Sequence, residues 1–406
     1  MVDGPDRVSS DANVVIARAL HAGVLVSRPD ALNPSESSLG VLATFLRAKQ
    51  EGTAACILQD RDASSHPLLA LTTSDVRVVT DTGIAGASLR ATWNVLAAAH
   101  RARERASDAS ASFWHEFYRE IRHHAGNERF PPAFRSRLRD AAHRSLARAT
   151  AAGRLAAPFP RRLLRNRVRT ELPAMLHEQA ARQAISSGIP QDAPLVAIEV
   201  RGRGDTVSDA IRLLQREGYA VVRVGEVASG PLALPGVIEP ALTAGRSWLL
   251  DVFVLFEARF VVCASTGLQH VAYLTNTPAL TLNAKDPFSA YPVREDGLYA
   301  LSTVVDLDTG RTLTTTDLLS GAFFRNMRNC GWRDNTAREI VESVREMHEG
   351  FARGWTESES QVQFRSRVVA AGTALADSVP YVAQWGPDKG FVGDGRLARV
   401  QADEGQ

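Results

Sequence analysis

Short apolar runs bounded by Gly, Pro, Ser and Asp alternate along this chain with longer stretches whose apolar residues recur at helical spacing. That alternation predicts parallel crossover units of strand, helix and strand. Near the N-terminus Val24-Leu25-Val26 reads as a strand, Ser27 to Ser38 as a loop and Leu39 to Ala48 as a helix led by Ser37-Ser38. Ala55 to Leu58 follows as a second strand, Pro67 to Leu71 and Val76 to Val79 add others, and Ser88 to Ala106 is an Ala- and Arg-rich helix. After Ser186 to Asp192, which reads as an inter-domain linker, the pattern becomes regular. Leu195 to Val200 is a strand, Asp205 to Glu217 a helix, Ala220 to Val224 a strand, and Trp248 to Ala258 a helix.

The stretch from Phe260 to Asn283 carries the candidate chemistry. Phe260 to Ala264 has the character of a strand buried on both faces, and it passes at once into Ser265-Thr266-Gly267. A helix then fits Leu268 to Leu274, Asn276-Thr277-Pro278 breaks it, and Ala279 to Leu282 is the next strand. In such a unit the free N–H groups of the helix start face the crevice beyond the strand ends, a geometry that suits phosphate. The hydroxyls of Ser265 and Thr266 add donors, Gly267 admits close approach of a bulky anion, and His270 lies within the first helical turn. A well-packed crossover with no ligand would carry the same small residues. The carboxyl ends of these strands would gather Arg201, Arg203, Gly225, Glu226, Ser265, Thr266 and Asn283.

Composition narrows the classes. With 406 residues, 45% hydrophobic and 23% charged, the chain suits two soluble domains. A net charge of +2 argues against nucleic acid as the main ligand. Three widely spaced cysteines, Cys56, Cys263 and Cys330, read as thiols in a reducing compartment, and no metal-ligand spacing is visible. The polar N-terminus and the lack of any run near ~20 apolar residues lead to the expectation of a cytoplasmic protein.

The charge is unevenly placed. Residues 101–171 are helical in pattern, aromatic and Arg-rich; Phe113, Trp114, Phe117, Tyr118 and Ile121 share one helical stripe, as in an amphipathic core helix. In PFPRRLLRNRVR, residues 158–169, Leu163, Leu164 and Val168 stand among five arginines. That is a solvated helix face or, alternatively, a surface for an anionic acceptor or for peripheral contact with the inner face of a membrane. From about Trp355 the regular spacing is lost, so 355–406 is expected to be a C-terminal extension ending in a mobile tail.

Several of these segments, taken together, resemble a bacterial family of glycosyltransferases with GT-B architecture, distantly related to heptosyltransferases and fucosyltransferase-like enzymes. AIEVRGRG resembles the family's histidine-x-arginine strand end, VVRVGE its arginine-x-glycine-acid strand, and FVVCASTGLQHVAYLTNTPAL its serine/threonine-glycine-x-x-histidine turn. RDNTAREIVESVREM resembles a late helix, with Asn335, Thr336, Glu339 and Glu346-Met347 in matching places. The resemblance implies an α/β fold of two Rossmann-like domains facing a cleft. These would be an acceptor-side domain over 13–185 with the helical Arg-rich insertion, and a nucleotide-sugar domain over 193–354.

The implied activity is metal-independent transfer of a hexosyl or deoxyhexosyl unit from a nucleotide-sugar to a hydroxyl of a lipid-linked, cell-surface or secondary-metabolite acceptor, with no separate cofactor. Arg201 and the N–H groups after Ser265 would stabilise the leaving diphosphate. The pair Asp306-x-Asp308 resembles a metal-binding DxD, but two acids around a Leu beside a Gly turn read better as a hairpin. Two departures stand out: Glu199 occupies the strand end where the family pattern has histidine, and Gly40 is followed by Val41 where a histidine or acid often stands. The candidates for a catalytic base are therefore Glu36, Glu199 and Asp205. Glu199 reads equally as a structural partner of an arginine. Two rivals remain: a catalytically silent GT-B-like binding or scaffold protein, and a nucleotide-sugar epimerase-like enzyme.

Overall fold

The computed structural model describes residues 25–27, 34–52, 54–58, 68, 71–74, 76, 78–81, 164–200, 204–225, 230–243, 247–264, 267–387 and 391–404. The chain divides into two compact units, Met1–Leu69 with Thr73–Pro158, and Ala70–Thr72 with Phe159–Gln406. The stripe at 113–121 and most of the Arg-rich insertion lie outside the described residues.

In the first unit strands β1 (Leu25–Ser27), β2 (Ala55–Leu58) and β3 (Val78–Asp81) form a parallel sheet in that order. Helix α1 (Pro34–Glu51) makes the first crossover, burying Val41, Leu42, Phe45 and Leu46 along one stripe. It starts earlier than its apolar spacing indicates, because Pro34 supplies a preset φ for the first turn, where its missing N–H costs nothing. Glu36 therefore sits in a helical first turn rather than in a loop.

The second unit is built on a seven-stranded parallel sheet. Its strands are β4 (Leu195–Glu199), β5 (Ala220–Val224), β6 (Val237–Ile238), β7 (Ala258–Ala264), β8 (Ala279–Ala284), β9 (Leu298–Leu301) and a late β12 (Arg396–Leu397), in the order β12-β9-β8-β7-β4-β5-β6, while β10 (Thr303–Asp306) and β11 (Cys330–Arg333) form a separate antiparallel pair. Alternate residues Val196, Ile198, Phe260, Val262, Leu280 and Leu282 pack against Ile211 and Leu214 of helix α3 (Asp205–Arg216). A long helix, Ala337–Arg353, adds Ile340, Val344 and Met347 to the same core.

Helix α4 (Trp248–Glu257) buries every residue from Leu249 to Leu255, because it lies between the sheet and helix α2 (Ala174–Ser186). An all-round apolar sequence is what a helix covered on both sides requires. Helix α2 thus belongs to the second unit. The segment expected to be a linker is the end of that helix: Gly188 has φ +77°, and the Ile189 N–H returns to the Ala184 carbonyl at 3.0 Å, a Schellman closure.

The C-terminal expectation is also corrected. Beyond Trp355 the chain continues as helices Glu359–Leu375 and Pro380–Trp385, the edge strand β12 and helix Arg399–Glu404. Phe364, Val368, Val382 and Leu397 share a second apolar core with Phe288, Tyr291, Tyr299, Phe323 and Phe324. This segment completes the sheet and is not an appendage to it. Arg165 and Arg167 are held here too. Arg165 grips Asp394 through two hydrogen bonds of 2.9 Å and stacks on Phe391, Arg167 pairs with Asp296, and Leu164 and Val168 are buried.

Asp306 turns a hairpin by accepting the N–H groups of Asp308 and Thr309, and Asn329 donates to Asp308. The short helix beyond it, Thr315–Leu318, begins with a capping box between Thr314 and Asp317, and the Arg311 guanidinium bonded to Asp317 holds that carboxyl well below the usual carboxylate range. A depressed folded-state pKa gives stability that is present above the unfolded value and lost as pH falls through the folded one. Thermal melts of the wild type and Asp317→Asn between about pH 5 and pH 2 are therefore expected to converge on acidification. A gap that stayed constant over that range would show that the ionised carboxylate contributes nothing.

Candidate functional site

Strand order fixes where the second unit opens. From β4 the chain steps outward to β5 and β6, then crosses back to the other side of β4 as β7 and continues to β8 and β9. Strands β4 and β7 are therefore the neighbours from which successive connections diverge, with Ile198 opposite Val262. In a parallel sheet this reversal leaves a crevice beyond the carboxyl ends, since the two following loops turn to opposite faces.

Glu199 ends β4 at this point. Its Oε2 accepts the Ala264 N–H at 3.0 Å, fastening the end of β4 to the end of β7 immediately before residues 265 and 266. Gly225, just past β5, has φ +82°, and a Cβ placed there would lie 3.6 Å from Glu199 Cγ. Its N–H donates to Asp251 Oδ2 at 3.3 Å. Asp251, 8% exposed, sits in the first turn of α4, whose cap Ser247 accepts the Leu250 N–H. Two carboxylates, Glu199 and Asp251, thus hold the backbone at three adjacent strand ends. Asp251 escapes a motif-based reading, although it is a lone acid within the apolar run Trp248 to Phe256 and so carried a signal.

Helix α5 (Gly267–Leu274) begins after the two residues that follow Ala264, the last residue of β7. Gly267 is buried, His270 is half-buried in the first turn, and Leu268, Val271, Ala272 and Leu274 face the core. The helix stops where Asn276 takes φ +58° and the Thr277 N–H reaches back to the Ala272 carbonyl at 2.8 Å. Asn276 and Thr170 then clamp this end to the preceding segment, through the Val168 and Leu274 carbonyls.

Asn283 lies next along, at the end of β8, again left-handed at φ +54°. It exchanges two hydrogen bonds of 2.7 Å with Asn335, each residue's side-chain oxygen accepting the other's N–H. Asp205 opens α3 in an exposed position and accepts the Thr206 N–H at 3.1 Å, so its charge complements the helix N-terminus. Arg201, Arg203, Glu226, Ser265 and Thr266 lie outside the described residues, as does the side chain of Glu36. Of their described chain neighbours, Gly225 and Ala264 belong to the strand ends just described, and Gly267 begins α5. Among the described residues no three His, Cys, Asp or Glu side chains gather as metal ligands would, and no helix is long and apolar enough to cross a membrane.

No family model and no curated protein sequence matches this chain. Among solved structures it is similar to Escherichia coli ADP-heptose lipopolysaccharide heptosyltransferase II, at 14% identity over 68% of this chain and 84% of that one, with a TM-score of 0.34. A glycosyl transferase of family 9 from Veillonella parvula aligns at 11% identity over 68% and 80%, with a TM-score of 0.34. The α-1,6-fucosyltransferase NodZ, soaked with GDP-fucose, aligns at 14% identity over 63% and 92%, with a TM-score of 0.32. These are distant likenesses to glycosyltransferases, with TM-scores too low to carry a site or a substrate across to this chain.

Proposed function

We propose that this chain is a GT-B-type glycosyltransferase that moves a sugar from a nucleotide-sugar to an acceptor hydroxyl, with the donor diphosphate held by the second unit. The supporting observation is the position of β7. This strand leads into Ser265-Thr266-Gly267, ahead of α5, and flanks the reversal of strand order, the place where a parallel sheet generally leaves a crevice for a ligand. Backbone N–H groups, the two hydroxyls and Arg201 would meet the charge that develops on the leaving diphosphate, with no metal ion required. His270, Arg203, Glu226 and Gly225 would line the same pocket. The acceptor class rests on the sequence resemblance alone. Within 158–169, the segment proposed for peripheral membrane contact, Arg165 and Arg167 already have carboxylate partners in Asp394 and Asp296.

A second reading, a protein that binds a nucleotide-sugar without turning it over, is favoured by a specific observation. Glu199 and Asp205, two of the three candidate bases, already accept backbone N–H groups. An epimerase-like enzyme would differ from both by isomerising the sugar with no acceptor present.

The test is calorimetry against ADP, GDP, UDP and their sugar conjugates, with and without divalent cations. Saturable binding without metal is expected. Removing both hydroxyls, with Ser265→Ala and Thr266→Val combined, should weaken it by about 1–3 kcal/mol if they donate to the diphosphate. No binding across the panel would reject the donor site; turnover of a bound conjugate would separate transferase from silent binder.

A further inference from the structure

Strand β12 pairs with β9 over only two residues, Leu298 with Arg396 and Tyr299 with Leu397, and the backbone ladder ends where the Ala398 N–H donates to the Tyr299 carbonyl. Leu301 lies beyond that end, and the side-chain amide of Gln401 takes over the pairing. Its Oε1 accepts the Leu301 N–H at 2.7 Å and its Nε2 donates to the Leu301 carbonyl at 2.6 Å. The same carbonyl accepts Asn335 Nδ2 at 2.8 Å. Asn335, 3% exposed, uses its Oδ1 for the Asn283 N–H. A backbone N–H can only donate and a carbonyl can only accept, so these partners fix both amide orientations. Gln401 Nε2 also reaches Glu339 Oε1, while Glu339 Oε2 holds the Thr336 N–H and hydroxyl at the start of the long helix.

We infer that the C-terminal helix Arg399–Glu404 takes part in shaping the donor site, with Gln401 and Asn335 as positioning residues that hold Asn283 in its left-handed conformation through Leu301. The inference rests on the donor site proposed above. Asparagine enters the left-handed region more readily than other non-glycine residues, and at Asn283 that conformation is locked by the paired hydrogen bonds with Asn335, whose amide shares the Leu301 carbonyl with Gln401 of the C-terminal helix. Loosening Gln401 would free the end of β8, where Leu282 lies opposite Ala264 at the end of β7.

The experiment combines amide hydrogen exchange over residues 279–287 with calorimetric titration of ADP, GDP and UDP, on the full chain, for the wild type and for Gln401→Ala, Asn335→Ala and Gln361→Ala. Gln361 is the control: it is 2% exposed and braces the same C-terminal segment through hydrogen bonds to Glu346 and the Leu397 carbonyl rather than to Leu301 or Asn335. Gln401→Ala and Asn335→Ala are expected to speed exchange at 279–287 and to weaken nucleotide binding by about tenfold, the scale of one lost hydrogen bond. Gln361→Ala should change neither, whatever it does to the melting temperature. Equal effects from Gln361→Ala and Gln401→Ala would reduce Gln401 to general packing and overturn the inference, as would unchanged exchange and binding in Gln401→Ala. If Asn335→Ala does not fold, Gln401→Ala decides alone. If the wild type binds none of the three nucleotides, the proposed function fails, and exchange at 279–287 still judges the link from Gln401 to Asn283.

Discussion

Glu239→Ala is expected to destabilise the second unit by about 3–5 kcal/mol, the range found when one partner of a buried ion pair is removed. Arg223 points from the middle of β5 into a site where its side chain is 0% exposed. Its Nη1 donates to Glu239 Oε1 at 2.7 Å and to the Gly230 carbonyl at 2.6 Å. Glu239, just past β6, also accepts the Leu232 N–H at 3.1 Å, so the pair pins the connection from 230 to 239 against the sheet. Without the carboxylate the buried guanidinium loses this counter-charge, and arginine has no accessible neutral form to retreat to. Exchanging both partners for apolar residues of similar volume, Arg223→Met with Glu239→Leu, removes the charge along with its partner and should recover most of the loss. Urea denaturation of the single and double variants measures both. A single variant within about 1 kcal/mol of the wild type would mean that the pair is dispensable.

That pair also shows what the sequence could not convey. Arg223 stands in VVRVGE, where the motif reading singles out Gly225 and Glu226 as ligand-facing, and its partner Glu239 lies beyond an intervening loop. The β7–α5–β8 unit was legible almost residue by residue: helix 268–274 was expected and 267–274 is found, and strand 279–282 was expected where 279–284 is found. Buried parallel strands are continuous apolar runs, and Asn276 before Thr-Pro is a local stop, so both signals are carried within a few residues.

The region after Trp355 failed that test because its order is non-local. Helix Glu359–Leu375 buries a narrow face around Phe364, Val368 and Gly372, strand β12 is an Arg-Leu pair, and the anchors are Gln361 to Leu397, Gln401 to Leu301 and Asp394 to Arg165. A buried Arg396 stacked on Trp355, or a Gln that completes a strand ladder, has the composition of a surface segment. At the site, the glycines at 225 and 267 were visible as sequence; Asp251 and the contact from Glu199 to Ala264 were not, since both depend on which strand lies beside β4.

The contact at Glu199 sets up the sharper functional expectation. Arg201→Ala should lower sugar transfer by about 10²–10³-fold, the usual cost of removing one preorganised donor from developing charge, while the fold is retained. Arg201 follows Glu199 by two positions, and Glu199 is fastened through Ala264 to the strand that precedes residues 265–267. A cation at 201 and the N–H groups beyond 265 would then approach the same diphosphate from the two strands that flank the reversal. The companion variant is Glu199→Gln, which keeps an oxygen for the Ala264 N–H but cannot take a proton. With Glu199 as a strand-end brace, Glu199→Gln retains transfer near the wild-type rate and Glu199→Ala loses both binding and transfer. With Glu199 as the base, Glu199→Gln abolishes transfer and leaves nucleotide affinity intact. The hydrogen bond to Ala264 favours the brace, so the expected pattern is a strong defect in Arg201→Ala beside a mild one in Glu199→Gln. Steady-state transfer rates and calorimetric affinities on the three variants separate the cases; an Arg201→Ala enzyme with full activity would move the leaving-group site away from these strand ends.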